Sequence, residues 1–306
     1  MDHETFGINP GTFYNLSTLI FQGLGHFSGG ILHQDSTKNK QETMCELLGF
    51  HFNKPVRPNV SFGNFRQHAD HHKHGWGMAW YPDAAQRDFT AQVIKTSESA
   101  MHDALAAFLA QEQVVHSANI IAHIRYKTHG PATHANTHPF ARNYRKRELV
   151  FAHNGVLENE HLSFTGKSYA PMGGTDSERA FCHLLNSMKV QGLRTDKPEH
   201  YAALETLLTS LNRDGKMNLL FSDGTRLFAW HTESGMNTLY YTRRAAPFGQ
   251  IRYKDDGITV NMDEQKDPDL RGYIIATQPL TEAEQWQPLE KGKLYVFEGG
   301  DGIFGM

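Results

Sequence analysis

The sequence turns on Met44-Cys45-Glu46-Leu47-Leu48-Gly49-Phe50. Within it CELLGF, residues 45–50, is a short apolar run bounded by turn residues, which reads as a β-strand. Ahead of it the chain changes character. The first 43 residues hold six glycines and eight serines or threonines among scattered apolar side chains, with no sustained strand or helix period. They read as a poorly structured leader, 1–43, before a packed domain at 44–306. Beyond Phe50 the strands continue as WGMAWYP at 76–82 and QVIK at 92–95. A helix is expected next, with Met101, Leu105, Phe108 and Leu109 as its apolar stripe. Two buried strands follow, NIIAHIR at 119–125 and ELVFAH at 148–153. A second helix opens at the capping-box pattern Thr175-Asp176-Ser177-Glu178, with Phe181, Leu184, Leu185 and Met188 on one face. A third lies near 200–212 with Leu204, Leu207, Leu208 and Leu211. The rest is strand again, at 217–223, 226–231, 238–243, 273–277 and 294–297. Runs of strands around central helices make this an α+β chain, without the regular alternation of a doubly wound fold.

The whole chain has 306 residues, 39% of them hydrophobic, which is ample for a buried core. A net charge of -3, from 30 basic against 33 acidic residues, leaves no electrostatic footprint for nucleic acid or an anionic membrane. A small-molecule substrate is the better expectation. No apolar run reaches the roughly 18 residues of a spanning helix. The nearest, at 13–32, is broken by Asn15, Gln22 and four glycines, and the acidic start MDHET lacks the basic region of a secretory signal. Two cysteines, Cys45 and Cys182, cannot build a disulfide framework and favour a reducing, cytoplasmic setting.

Four segments are more polar or richer in glycine than their strand context requires: MCELLG at 44–49, AHIRYKTHG at 122–130, FAHNG at 151–155 and GGTDSE at 173–178. In this order and at these intervals they resemble the class II glutamine amidotransferases. The resemblance is closest to compact stand-alone members beginning MC-x-LLG, and it extends through HGWGMAWY, THPF, YYTRRAAPFG and IATQPLT. It implies a four-layer αββα sandwich of the N-terminal-nucleophile hydrolase type. It also implies an amidohydrolase that opens the side-chain amide of glutamine, or of a γ-glutamyl compound, through a cysteine thioester, with no cofactor.

The resemblance makes Cys45 the nucleophile and its own α-amine the general base. An α-amine of pKa roughly 7.7–8.0 is unprotonated in a useful fraction at neutral pH. That chemistry needs Cys45 to be N-terminal, so the leader is expected to be absent or removed; Met44 directly before the cysteine favours a start at that methionine over a cleaved propeptide. Cys182 reads as structural. Arg125 matches the arginine for the substrate carboxylate, which a guanidinium fork grips with two parallel bonds. Thr128 and His129 match residues lining the same pocket. Asn154 and Gly155 match the oxyanion hole, although alone Asn-Gly reads as an ordinary hairpin turn. Asp176 matches the acid for the substrate ammonium, and an aspartate there also suits the helix macrodipole.

No acceptor domain is expected beside the resemblance, so ammonia would go to a separate synthase subunit, or the enzyme would simply hydrolyse. Two alternatives stand beside the glutaminase reading: a γ-glutamyl conjugate hydrolase of thiol metabolism, and a non-catalytic γ-glutamyl-binding subunit. Of the 19 histidines, the run Gln67-His68-Ala69-Asp70-His71-His72-Lys73-His74 and the set His129, His134 and His138 invite a metal reading. Neighbouring histidines on one loop cannot all reach one ion and the amide chemistry needs none, so no metal is expected. The 68–74 run reads as a polar loop approaching the WGMAWY strand.

Overall fold

The computed structural model describes residues 45–70, 74–126, 131–234, 238–255, 257–262 and 267–306. β1 (Glu46–Val56) leads into α1 (Asn59–Phe65), then β2 (Trp76–Trp80), β3 (Gln92–Thr96), α2 (Ala104–Gln111) and β4 (Ser117–Ile124). β5 (Phe140–Tyr144) and β6 (Arg147–Leu157) precede α3 (Asp176–Val190) and α4 (Tyr201–Asn212). The chain closes with β7 (Gly215–Ser222), β8 (Arg226–Trp230), β9 (Tyr240–Ala245), the small pair β10 (Gln250–Arg252) and β11 (Thr259–Asn261), β12 (Arg271–Ala276), β13 (Gln287–Pro288), β14 (Leu294–Glu298) and β15 (Asp301–Phe304).

Two antiparallel sheets result. The first runs β13-β9-β12-β1-β4-β2-β3 and the second β15-β14-β8-β7-β6-β5. Strand alternation sends successive side chains to opposite faces, and on β1 this builds two cores at once. Leu48, Phe50 and Phe52 point outward into a cluster with Phe62 and Phe65 of α1 and Leu109 of α2. Leu47 points inward and meets Val150, Ala152, Leu220 and Leu227 of the second sheet. Gly49 also faces inward, where a Cβ would lie 2.9 Å from Leu220 Cδ1, so glycine permits the close approach of the sheets. A third cluster joins Phe151, Leu219 and Phe228 on the far face of the second sheet to Phe181, Leu185, Leu204 and Leu208 of α3 and α4. The layers are therefore α, β, β, α. Burial on both faces explains why NIIAHI and LVFA read as unbroken apolar runs. Among the described residues no helix is long and apolar enough to cross a membrane.

Each strand read from sequence overlaps an observed one, with ends shifted by one or more residues in most. α3 begins at its Thr175 cap, whose hydroxyl accepts from Glu178 N at 3.2 Å. The return half of the capping box differs: the Glu178 carboxylate accepts from Gly173 N at 2.6 Å and pairs with Arg142. α2 differs more. It starts at Asp103, whose carboxylate caps Leu105 N and Ala106 N. Ala106 and Leu109 face the core, while Leu105 and Phe108 of the expected stripe are exposed.

Candidate active site

Cys45 stands immediately ahead of β1, at one end of the sandwich. Its Sγ lies 3.1 Å from both the amide nitrogen and the carbonyl oxygen of Tyr126, just beyond β4. The β1–β4 register, which pairs Glu46 with Ile124 and Leu47 with His123, brings the two segments together. Burial pushes the thiol up to about 12, and the Tyr126 hydrogen bond and the Arg125 charge only partly oppose it. A thiol so placed stays protonated at neutral pH and needs a nearby base to act as a nucleophile.

Arg125 directly precedes Tyr126 and is 3% exposed. One of its guanidinium nitrogens donates to Pro131 O at 3.1 Å, and its backbone nitrogen to Gly75 O at 2.8 Å. Burial lowers its pKa from the ordinary guanidinium value, while the groups at Cys45 and Asp176 act the other way. The three residues thus share one electrostatic neighbourhood.

The second sheet supplies the opposite wall. Asn154 and Gly155 sit within β6, opposite Asn218 and Met217 of β7, so the hairpin-turn alternative does not hold. The Asn154 side-chain amide donates to the Cys45 carbonyl, and its Oδ1 is buried without a hydrogen-bond partner. Gly155 has φ +152°, and a Cβ there would run into the Lys216 carbonyl, so the position requires glycine. Asp176 is the first residue of α3 and 7% exposed, with Oδ2 accepting from Leu157 N at 2.8 Å. The acid therefore ties the start of α3 to the end of β6. His153 supports the same wall, its ring 2.9 Å from Ser177 Oγ and 3.2 Å from Lys216 O.

Five of the expected site residues, Cys45, Arg125, Asn154, Gly155 and Asp176, thus converge on one end of the two sheets. Thr128 and His129 lie outside the described residues, as do His71, His72 and Lys73. Cys182 is fully buried. Among the described residues no three His, Cys, Asp or Glu side chains are arranged to hold a metal ion. Of the second histidine set, His134 is exposed, whereas His138 is buried with its ring tilted against that of His123 at 4.2 Å between centroids. Burial, then the neighbouring histidines, Arg125 and Lys95, hold His138 well below its ordinary pKa.

Sequence reasoning missed Tyr126 and Glu46. Tyr126 acts through its backbone, which no residue type advertises. Glu46 is a carboxylate only 2% exposed, and a lone charge within an apolar strand was its available signal. Its oxygens take hydrogen bonds from Thr277 Oγ1 and, at 2.7 Å, from Gln278 Nε2.

Two facing antiparallel sheets covered by helices, with a cysteine at the head of a central strand, define an α+β fold of the N-terminal-nucleophile hydrolase type. The chain belongs to the class II glutamine amidotransferases, whose family model matches residues 44–304. It is 39% identical over 262 residues to an uncharacterised protein of Methanocaldococcus jannaschii, covering 85% of this chain and 71% of that one. It is 34% identical over 267 residues to Escherichia coli YafJ, provisionally named a glutamine amidotransferase, covering 85% of this chain and 100% of YafJ. A 2.0 Å crystal structure of a predicted glutamine amidotransferase from Pseudomonas aeruginosa superposes with a TM-score of 0.61 at 29% identity, over 85% of this chain and 99% of the other.

Proposed function

We propose that the protein, with Cys45 as its N-terminal residue, hydrolyses the side-chain amide of glutamine or of a γ-glutamyl compound and releases ammonia or an amine. The observation that carries this is the convergence of Cys45 and Arg125 from the first sheet with Asn154 from the second and Asp176 at the start of α3. In the proposed reaction the α-amine takes the Cys45 proton, and the sulfur attacks the amide carbon. The carbonyl π electrons move onto oxygen, which the Asn154 amide and Gly155 N–H receive. The amine's new proton passes to the leaving nitrogen, the C–N bond breaks, and a thioester remains. Water, deprotonated by the same amine, attacks the thioester and frees the γ-carboxylate and the thiol.

The raised thiol pKa supports this division of labour, because a buried neutral thiol gains most from an adjacent base. Arg125 and Asp176 are the proposed grips on the α-carboxylate and α-ammonium of the substrate. Thr128 and His129 are proposed to line the same pocket. The active form begins at Cys45, by a start at Met44 with removal of that methionine or by loss of 1–44. Ammonia passes to a separate synthase or to solvent.

The test is ammonia or amine release from glutamine and a panel of γ-glutamyl amides by protein beginning at Cys45, with mass spectrometry of the acyl-enzyme trapped by acid. Release with a γ-glutamyl mass on Cys45 supports the reading. Absence of both across the panel defeats it.

A further inference from the structure

Within the histidine run at 67–74, His68 is packed into the protein. His68 sits in a short 3-10 helix, Arg66–Asp70, that continues directly from α1, and its side chain is only 13% exposed. One ring nitrogen, Nε2, lies 2.9 Å from Asp255 Oδ2 in the turn after β10. The other, Nδ1, is buried without a hydrogen-bond partner and faces Glu46 Oε2 at 3.9 Å. Asp255 is itself fixed by Asn64 of α1. With that amide oriented nitrogen toward the carboxylate, it donates to Oδ2 at 3.0 Å and accepts from Asp255 N at 3.1 Å.

Glu46 is the residue after the nucleophile, and alternation sends its side chain to the opposite face of β1. The Thr277 hydroxyl that bonds its carboxylate also accepts from Leu47 N at 3.1 Å, and Thr277 N donates to Leu47 O at 3.1 Å. The first residues of β1 are therefore fastened to the end of β12 through one carboxylate. Cys45 is held on its other side by Tyr126 and Asn154. A strand that begins at its own nucleophile has no preceding chain to steady it, and chain termini fray unless tied down.

We propose that Glu46, His68 and Asp255 form an ionic clamp that positions the start of β1, and with it the α-amine and sulfur of Cys45, when His68 is protonated. The inference rests on the proposed role of Cys45. None of the three touches substrate; they are positioning residues. The charged groups facing His68 among the described residues are Glu46 from β1 and Asp255 from the turn after β10, with the Phe65 ring packed beside it. Burial works against the imidazolium, yet the Asp255 hydrogen bond and the two carboxylate charges outweigh it, so the His68 pKa lies above its ordinary value. A raised histidine pKa closes the clamp below the unfolded histidine value for as long as Glu46, whose own pKa burial raises, stays ionised, and the clamp loosens as pH rises through the folded histidine value.

The test uses protein beginning at Cys45 and reads amide hydrogen exchange at Leu47, whose N–H bonds Thr277. The rate ratio of His68→Gln to wild type should be about tenfold where His68 is protonated and Glu46 still ionised. It should fall toward one as pH rises through the His68 pKa, measured by ring NMR in the same sample. Glu46→Gln should lower that pKa, with Asp255→Asn as the second variant should the first fail to fold. In turnover, kcat of His68→Gln should fall below that of wild type by a factor with the same pH dependence, with KM changed less than about twofold.

A ratio near one at every pH, a constant ratio, or a His68 pKa unmoved by both carboxamide variants overturns the clamp. If exchange behaves as expected but no γ-glutamyl compound is turned over, the clamp stands and the hydrolase reading falls. If turnover is present and exchange is flat, only the clamp falls.

Discussion

On one outer face of the sandwich α3 and α4, of 15 and 12 residues, lay Phe181, Leu184, Leu185, Leu204 and Leu208 against the second sheet. On the other, α1 and α2 have only 7 and 8 residues, and polar contacts add to the apolar packing of Phe62, Phe65, Ala106 and Leu109. There Arg66 donates to the carbonyls of Ala100 and Met101, Asp103 caps α2, and His68 bridges Glu46 and Asp255. The site is shared between these two halves. The well-packed half carries Asn154, Gly155 and Asp176, and the polar half carries Cys45 and Arg125. The proposed oxyanion donors gain from rigidity, because a preorganised donor needs no rearrangement as charge develops. The proposed nucleophile sits where protonation can reach it.

The comparison can be broken in several ways, and the largest effect tests the chemistry itself. Cys45→Ala should remove at least about 10^4-fold of kcat, since a covalent route loses its attacking atom, while substrate binding by calorimetry stays within a few-fold. Retained turnover would move the chemistry off the polar half altogether. Phe181→Ala probes the packed half. Phe181 is fully buried and stacked on Phe151 of β6 at 4.8 Å, so its loss should cost about 3–5 kcal/mol in denaturant unfolding. Asn154→Ala should cost about 2.7–4 kcal/mol of barrier, read in kcat more than in KM, as for the removal of one oxyanion donor. A loss confined to KM would make Asn154 a binding residue only.

A fourth measurement concerns His51, on β1 of the polar half. Its ring accepts from Gly300 N at 3.1 Å and lies 2.7 Å from Asn119 Oδ1, and burial lowers its pKa to about 4. The unfolded chain binds its proton near pH 6.5, so stability is complete above that value and falls as pH drops toward 4. The loss is at most about 3 kcal/mol. His51→Gln should flatten that slope in unfolding curves taken between the two pH values. A slope unchanged in the variant would place the acid sensitivity in another group.

The same contrast explains what was legible in the sequence. The stripes of α3 and α4 and the doubly buried strands announce themselves because packing there is apolar and periodic, and Thr175 marks the start of α3 as its cap. Cys45, Arg125, Asn154, Gly155 and Asp176 were legible as short motifs in register with a family, not as geometry. α1, NVSFGNF, escaped because its glycine and serine break the pattern and seven residues give no period to measure. Glu46 and His68 escaped for a related reason: their pairing joins residues 22 positions apart in sequence across two elements, and Asp255 lies a further 187 beyond His68. No local spacing encodes such a contact.

The smallest expected effect lies on α2, where the sequence pattern pointed the wrong way. Met101, Leu105, Phe108 and Leu109 have helical spacing, yet the helix begins only at Ala104 under the Asp103 cap, which sets the rotation of every later side chain. Phe108 is consequently 48% exposed and Leu109 2%. Phe108→Ala should therefore stay within about 0.5 kcal/mol of wild type, as surface substitutions do, whereas Leu109→Ala should cost about 2–5 kcal/mol. Equal losses in the two variants would mean that the outer face of α2 is covered in solution, and the polar half would then be better packed than its short helices indicate. A neutral Phe108→Ala beside a costly Leu109→Ala would fix the orientation of α2. It would leave Leu109 and Ala106 as its apolar anchors beside Phe62 and Phe65 of α1, with the polar contacts of Arg66, Asp103 and His68 as further supports of the layer behind Cys45.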